Sequence, residues 1–242
     1  MTKKQLHRKP VTVAVVDSGI DTTIGDLYKS VKLSTKFIID RQGYIVEDND
    51  KKILHPHGTV IASIISSICK NIEFISINIL NERLVSDGRV LVHSLKKILL
   101  YSPDIIHLSL GTTSPRYIFQ LKRIVRKAIK KNIIIVCSAN NHGLKSYPAY
   151  LKGVVGVKAS SNDINAGIKY ENGFFYAPSM VIDEFNLINI SKRKQLKGTS
   201  ISAAYITGCL ALIKYEQGSI KNDDIIEKLK VLIKGGIYNA SK

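Results

Sequence analysis

Apolar residues recur along this chain in two alternating periods. The stretch Val11-Thr12-Val13-Ala14-Val15-Val16 is almost continuously apolar and β-branched and breaks at Asp17-Ser18-Gly19. That is the pattern of a strand buried on both faces and closed by a tight turn. Runs of the same kind occur at Phe74–Leu80, Asp104–Gly111 and Ile133–Cys137, with shorter ones at Val154–Val157 and Phe174–Ala177. Between them the apolar positions switch to helical spacing: Ile61, Ile64, Ile65 and Ile68 after His57, Leu91, Leu95, Ile98 and Leu99 within Val90–Leu100, and again over Phe119–Lys131. An apolar helix is predicted from Ser200 through Leu212, and an amphipathic segment, Asp223–Ile233, is predicted to pack across the sheet. Strands alternating with helices at short spacing predict an α/β fold of three layers, a mainly parallel central sheet with helices on both faces.

Length and composition narrow this further. With 242 residues, 45% of them hydrophobic, the chain is expected to form one domain over residues 1–242, with 1–10 a flexible N-terminal segment and 236–242 a frayed C-terminus. It shows no internal repeat, linker or low-complexity block. Lys and Arg number 36 against 19 Asp and Glu, a formal net charge of +17. Such a surface attracts anions. The cations are scattered along the chain rather than gathered on one recognition helix, so a specific nucleic-acid partner is not expected. Compositional bias and a preference for acidic peptides account for the charge equally well.

The three cysteines, Cys69, Cys137 and Cys209, are an odd number in apolar surroundings, which argues for buried thiols rather than disulfides. The basic segment before Val11 has no apolar run, so no secretory signal is visible there and no pro-segment fits ahead of the first strand. No apolar stretch is long enough to cross a bilayer. These features together predict a cytoplasmic protein.

The polar residues that interrupt the apolar pattern carry the candidate chemistry. Asp17 ends a buried strand, at the edge of an open α/β sheet where ligands and catalytic groups gather. His57-Gly58-Thr59 opens a helix, and Lys197-Gly198-Thr199-Ser200 is a small-residue turn that opens another. A serine in that position is commonly an N-cap. An acid, a base and a nucleophile nevertheless occur in the order Asp, His, Ser. His55, two residues from His57, raises the alternative of a metal pair, but two ligands fall short of a zinc site and no Cys or acidic partner has suitable spacing. Asp21, Asp48 and Asp50 lack the preceding buried strand and read as solvated loop residues.

This order and these flanks resemble the subtilisin-like (subtilase) family of serine peptidases. The likeness extends from about Val11 to the helix after Ser200. It implies a triad in which Asp17 orients and stabilises His57, and His57 takes the proton of Ser200. Ser138-Ala139-Asn140-Asn141-His142-Gly143 looks like the family's Ala-Gly-Asn-x-Gly motif, which aligns Asn141 as donor to the oxyanion beside the Ser200 backbone N–H. Asn140 stands where the family has glycine, a position where a positive φ suits asparagine better than most residues, and the choice between Asn140 and Asn141 stays open.

Ser109-Leu110-Gly111 resembles the substrate-binding strand, with Leu84-Val85-Ser86 as the opposing edge. Ser138, Ala139 and Ser146 are candidates for the wall of the specificity pocket. The family's usual Met and Pro around the nucleophile are Ile201 and Ala204 here, packing changes that remove no catalytic group. The short Ser66–Asn71 connection leaves no room for the calcium loop that many relatives carry, so neither metal nor cofactor is expected.

The function that follows is a serine endopeptidase, a hydrolase acting on extended peptides or proteins through an acyl-enzyme. A narrower expectation is a processing peptidase that removes an acidic leader from a precursor. The alternatives are general intracellular protein turnover and, with all four chemical positions filled, the weaker one of a catalytically silent peptide-binding subtilase.

Overall fold

A computed structural model of the chain describes residues 8–50, 52–160, 167–181, 197–218 and 220–235. The first strand, β1 (Val11–Asp17), is followed by a single helical turn α1 (Leu27–Ser30), a long strand β2 (Val31–Ile39) and a short β3 (Ile45–Glu47). Then come α2 (His57–Ile68), β4 (Ile72–Asn78), α3 (Gly88–Tyr101), β5 (Ile105–Leu108), α4 (Ile118–Lys130), β6 (Ile134–Ser138) and β7 (Val155–Ala159). The hairpin β8 (Lys169–Glu171) and β9 (Phe174–Ala177) precedes the last helices, α5 (Thr199–Gln217) and α6 (Asn222–Lys234).

The strands form one sheet of nine in the order β3-β2-β4-β1-β5-β6-β7-β9-β8. Every neighbouring pair is parallel except the outermost two, β2 with β3 and β8 with β9. The expected α/β layering is therefore present. β1 has β4 on one side and β5 on the other, so the chain reverses its direction of travel across the sheet at β1. The carboxyl end of β1 is the crevice where such sheets bind ligands.

Period-two alternation assigns each strand residue to a layer. Val11, Val13 and Val15, with Phe74, Ile105, Ile134 and Val136, pack under α2, α5 and α6. Ala14 and Val16, with Ile75, Ile77, Ile106, Leu108 and Ile135, pack under α3 and α4. The odd-numbered Asp17, His107 and Ser109 consequently face α2 and α5. Helix α5 is apolar on nearly every side and is buried from Thr199 to Ala211 apart from the half-buried Ser200, as a helix enclosed between a sheet and two other helices must be.

The details depart from expectation in three places. Strands β2, β3 and β8 were not expected. Helix α6 packs on α5 and β8 rather than across the sheet, because Ile225 and Leu229, its buried residues, belong to the α5 side of the core. The segment 1–10 is described only from Arg8, whose guanidinium donates to the carbonyls of Tyr215 (2.9 Å) and Glu216 at the end of α5. Residues 236–242 lie outside the described residues. All three cysteines are free and buried.

Candidate active site

Strand β1 delivers Asp17 fully buried at its carboxyl end. Its carboxylate meets the imidazole of His57 in a two-oxygen contact, Nδ1 lying 2.9 Å from Oδ1 and 2.8 Å from Oδ2. An ionised carboxylate only accepts, so Nδ1 carries a proton, and in the neutral ring Nε2 keeps its lone pair. The backbone N–H of Ser18 also donates to Asp17 Oδ1 at 2.6 Å.

Helix α2 is seated on β1 by a compact set of contacts. The Ser18 hydroxyl donates to His55 O (2.8 Å) and accepts from Gly58 N (3.0 Å). A Cβ on Gly58 would stand 2.4 Å from Gly19 O and 3.1 Å from Asp17 Cβ, so only glycine allows the helix this close. His55 serves the start of the helix. Its Nδ1 accepts from His57 N at 3.1 Å, the service a side-chain cap performs for an exposed helix amide. Among the described residues no group of three or more His, Cys, Asp or Glu is placed to hold a metal ion.

Opposing charge and burial set the protonation states. Burial by itself pushes the Asp17 carboxyl up, but the His57 charge and hydrogen bonds from His57, Ser109 and the Ser18 amide outweigh it and hold Asp17 below the ordinary carboxylate value. Burial pushes His57 down, and the Asp17 charge and hydrogen bond outweigh that, leaving His57 above the ordinary value of 6.5.

Ser200 lies in the first turn of α5, half-buried, where the helix dipole favours developing negative charge. Its hydroxyl donates to Ser109 O at 3.2 Å and not to His57. The preceding Gly198 has φ 130° and ψ −176°, a left-handed-side geometry that a side chain resists. A Cβ there would also press to 3.0 Å on Asn141 Oδ1. Thr199 clamps the turn, its hydroxyl donating to Ala139 O (2.7 Å) and its N–H to Asn141 Oδ1 (3.0 Å).

The second of those bonds bears on the asparagine pair. With Oδ1 engaged by Thr199 N, the Asn141 carboxamide keeps its NH2 end as donor, beside Gly198 in the turn that leads to Ser200. The Asn140 Oδ1 likewise accepts a backbone N–H, that of His142 (2.8 Å), and its own N–H donates to Ser146 Oγ (3.1 Å), so these bonds tie Asn140 to its own loop where those of Asn141 tie it to the turn before Ser200. The positive φ expected at Asn140 is absent and falls instead on Gly143, at 77°.

The expected substrate residues divide. Ser109, Leu110 and Gly111 continue beyond the last ladder residue of β5, and Thr112 pairs with Tyr147 through two backbone bonds of 2.8 Å. Gly111 faces the Tyr147 carbonyl, which a Cβ would meet at 2.8 Å, so its smallness serves this chain crossing rather than an open recess. Leu84, Val85 and Ser86 do not form an extended edge. Asn81 Oδ1 accepts from both Arg83 N and Val85 N (3.0 Å each), and Leu84 adopts φ 58°, which folds the segment into a turn with Val85 exposed. Ser138, Ala139 and Ser146 are buried around the Asn140 loop. A cavity of about 910 Å³, lined by Val125, Ile129, Val154, Phe175 and Ile226 among others, opens at the opposite, amino end of β6 and β7 and includes none of these groups.

Two further polar residues belong to this neighbourhood: Ser18, the first residue after β1, and His107, a polar position within the otherwise apolar strand β5, where that contrast is the signal that marks it.

Comparison with known proteins identifies the family. The profile described as the subtilase family, Peptidase_S8, matches residues 8–237. The major intracellular serine protease of Bacillus subtilis (strain 168) is 28% identical over 243 residues, covering 91% of this chain and 74% of that protein. Subtilisin BL of Lederbergia lenta is 27% identical over 233 residues, covering 91% and 82%. Among solved structures, a cold adapted subtilisin-like serine proteinase superposes with TM-score 0.71 at 17% identity, covering 92% of this chain and 82% of that one. A lanthipeptide protease superposes with TM-score 0.66 at 20% identity, covering 91% and 79%. The last two attest the fold. The profile, spanning nearly the whole chain, attests the lineage: this chain belongs to the subtilase family and is a serine endopeptidase.

Proposed function

We propose that Asp17, His57 and Ser200 are the triad of this peptidase and Asn141 its side-chain oxyanion donor, and that it processes acidic peptides inside the cell. The observation that carries the triad is the two-oxygen Asp17–His57 contact, which fixes the proton on Nδ1 and leaves Nε2 as the base. Rotation of the Ser200 hydroxyl from Ser109 O toward His57 readies the nucleophile, a closure often completed only when substrate binds. Ser200 Oγ then attacks the scissile carbonyl as Nε2 takes its proton. The charge on the former carbonyl oxygen is met by the Asn141 NH2 and the Ser200 N–H at the positive end of α5. Proton return from Nε2 to the leaving amine gives the acyl-enzyme, and water repeats the cycle to release the acid.

The preference for acidic peptides rests on charge near the cleft as well as on the total of +17. Arg83, Lys145 and Lys197 are exposed and adjoin the Leu84 turn, Ser146 and Gly198 respectively, with Glu82 as the opposing charge in the same turn. Such a rim accelerates encounter with anionic chains at low salt and loses its effect when screened. An intracellular setting agrees with the buried free thiols and with the relatives named as intracellular serine proteases from Bacillus subtilis and Paenibacillus polymyxa.

The test is digestion of precursor-like peptides with an acidic leader alongside versions in which Asp and Glu are amidated, followed by mass spectrometry. One dominant cut in the acidic peptides, with kcat/KM falling as salt rises, is expected. Indiscriminate cutting of both sets would overturn the processing role and favour general turnover.

A further inference from the structure

The cavity of about 910 Å³ at the amino end of β6 and β7 takes no part in the chemistry above. The amino ends of three adjacent strands, at Ile134, Val155 and Phe175, contribute to its lining. So do Val125 and Ile129 on α4 and Ile226 in the second turn of α6. Tyr170 on β8, stacked on Phe175 with ring centres 4.7 Å apart, adds an aromatic edge. Ile129 and Tyr170 stay 51% and 39% exposed, apolar surface that folding alone leaves in water. A recess of this volume with mainly apolar walls and a few charged groups has the usual form of a small-molecule site.

The charged groups of the lining are nearly all of one sign. Lys122 and Arg126 lie one turn apart on α4, Lys152 precedes β7 and Lys221 stands at the start of α6, all four exposed, against Asp223 as the single acid. Among the described residues, none of the four cations is within 4.0 Å of a carboxylate. Arg126 reaches only the Lys122 carbonyl, at 3.4 Å. The chain has no Asp or Glu from Ile105 through Asn162, a stretch with 10 Lys and Arg, so no local carboxylate is at hand to answer them. Like charges at i and i+4, as at Lys122 and Arg126, repel and weaken their helix. An anion at the mouth of the cavity relieves that repulsion.

The groups that could read a peptide main chain are spent within the fold. Asn132 donates through Nδ2 to Ile220 O (3.3 Å) and accepts at Oδ1 from Asn222 N (3.1 Å). The amides of Ile133, Ile134 and Val154 donate to Ala128 O, Asp104 O and Leu151 O. A bound peptide would therefore leave polar groups unpaired against apolar walls, which is costly. A flexible aliphatic body with one charged end leaves none.

We propose that this cavity binds a single-chain anionic amphiphile, an aliphatic carboxylate of about ten carbons or more, with its alkyl chain against Val125, Ile129, Phe175 and Ile226 and its head group among Lys122, Arg126 and Lys152. The proposal goes beyond the peptidase reading and stands without it, since no residue of the candidate triad lines the cavity.

The experiment is calorimetric titration of the full chain, carrying Ser200→Ala against self-digestion, with decanoate, hexanoate, decanol and decyltrimethylammonium. Saturable one-to-one binding of decanoate is expected. Hexanoate, four methylenes shorter, binds at least about ten-fold more weakly, and the neutral and cationic amphiphiles bind more weakly than decanoate. Lys122→Glu/Arg126→Glu lowers decanoate affinity by about ten-fold or more. Lys96→Glu/Lys97→Glu, the same change of charge at exposed positions of α3 outside the cavity, leaves it near parental. All four substituted residues are exposed, so folding does not limit the comparison. Absence of saturable binding, equal affinity for decanol and decanoate, or equal losses in the two charge variants would overturn the proposal. Displacement of bound decanoate by an acidic peptide would overturn it too, assigning the cavity to peptides instead.

Discussion

Replacing Gly58 by alanine tests the seating of α2 on β1. The added Cβ would stand 2.4 Å from the Gly19 carbonyl oxygen, where ordinary contact begins near 3.4 Å, so the first turn of α2 must retreat by about 1 Å. The obstacle is backbone, which cannot swing aside as a flexible side chain can. Overpacking of this kind costs about 1–3 kcal/mol, and the better helix propensity of alanine returns at most about 1 kcal/mol. The net loss is about 1 kcal/mol, which lowers Tm by about 2–4 °C in a chain of this size. The catalytic effect is larger than the stability effect. His57 is the adjacent residue, and its 2.8 and 2.9 Å contacts with Asp17 stretch with the same movement. A misplacement of about 1 Å costs on the order of 100-fold in rate. Peptide hydrolysis gives kcat/KM, and urea unfolding in a Ser200→Ala background gives stability without self-digestion. A Gly58→Ala enzyme with parental kcat/KM would refute the claim that this close approach aligns the acid and the base.

The remaining expectations concern the same machinery. His57 accepts a proton only when neutral and is held above its ordinary value of 6.5, so kcat/KM falls as pH drops through a midpoint above 6.5, and a midpoint at or below that value contradicts the Asp17 pairing. Asn141→Ala lowers kcat by about 100- to 1,000-fold, or ~2.7–4 kcal/mol, with little change in KM; a larger effect from Asn140→Ala would reverse the assignment of the donor. Only Cys69, Lys70 and Asn71 join α2 to β4, too short a connection for a calcium loop, so EDTA leaves Tm unchanged, and a fall of more than about 4 °C, roughly 1 kcal/mol or more, would show a structural metal.

The central strands were legible because burial on both faces forces near-continuous apolar runs, as in Val11–Val16 and Ile133–Cys137. The edges were not. β2 carries Lys32, Ser34 and Lys36 among its apolar residues and its register shifts between Val31 and Leu33, which blurs the alternation. Asp17, His57 and Ser200 could be read because each follows or opens an element at a chain seam. The segment Leu84–Ser86, expected as an extended edge, is a turn instead, because the side chain of Asn81 bends it by local hydrogen bonds that no periodicity records. His107 was hidden for another reason: a polar residue in a strand shows its purpose only when its neighbours across the sheet and on α5 are known.

The alternation that sorts the core has a bearing on how such an enzyme can change. Asp17, His107 and Ser109 face the layer of α2 and α5, the helices that carry His57 and Ser200, so the proposed triad lies on that side of the sheet and α3 and α4 lie on the reverse. Helix α4 buries Leu121, Ile124, Val125 and Ala128 and exposes Lys122, Arg123, Arg126, Lys127 and Lys130. With the proposed triad on the other side of the sheet, the outward surface of this helix is open to selection, or to redesign, for solubility and for the company the molecule keeps, without touching the groups proposed to cut.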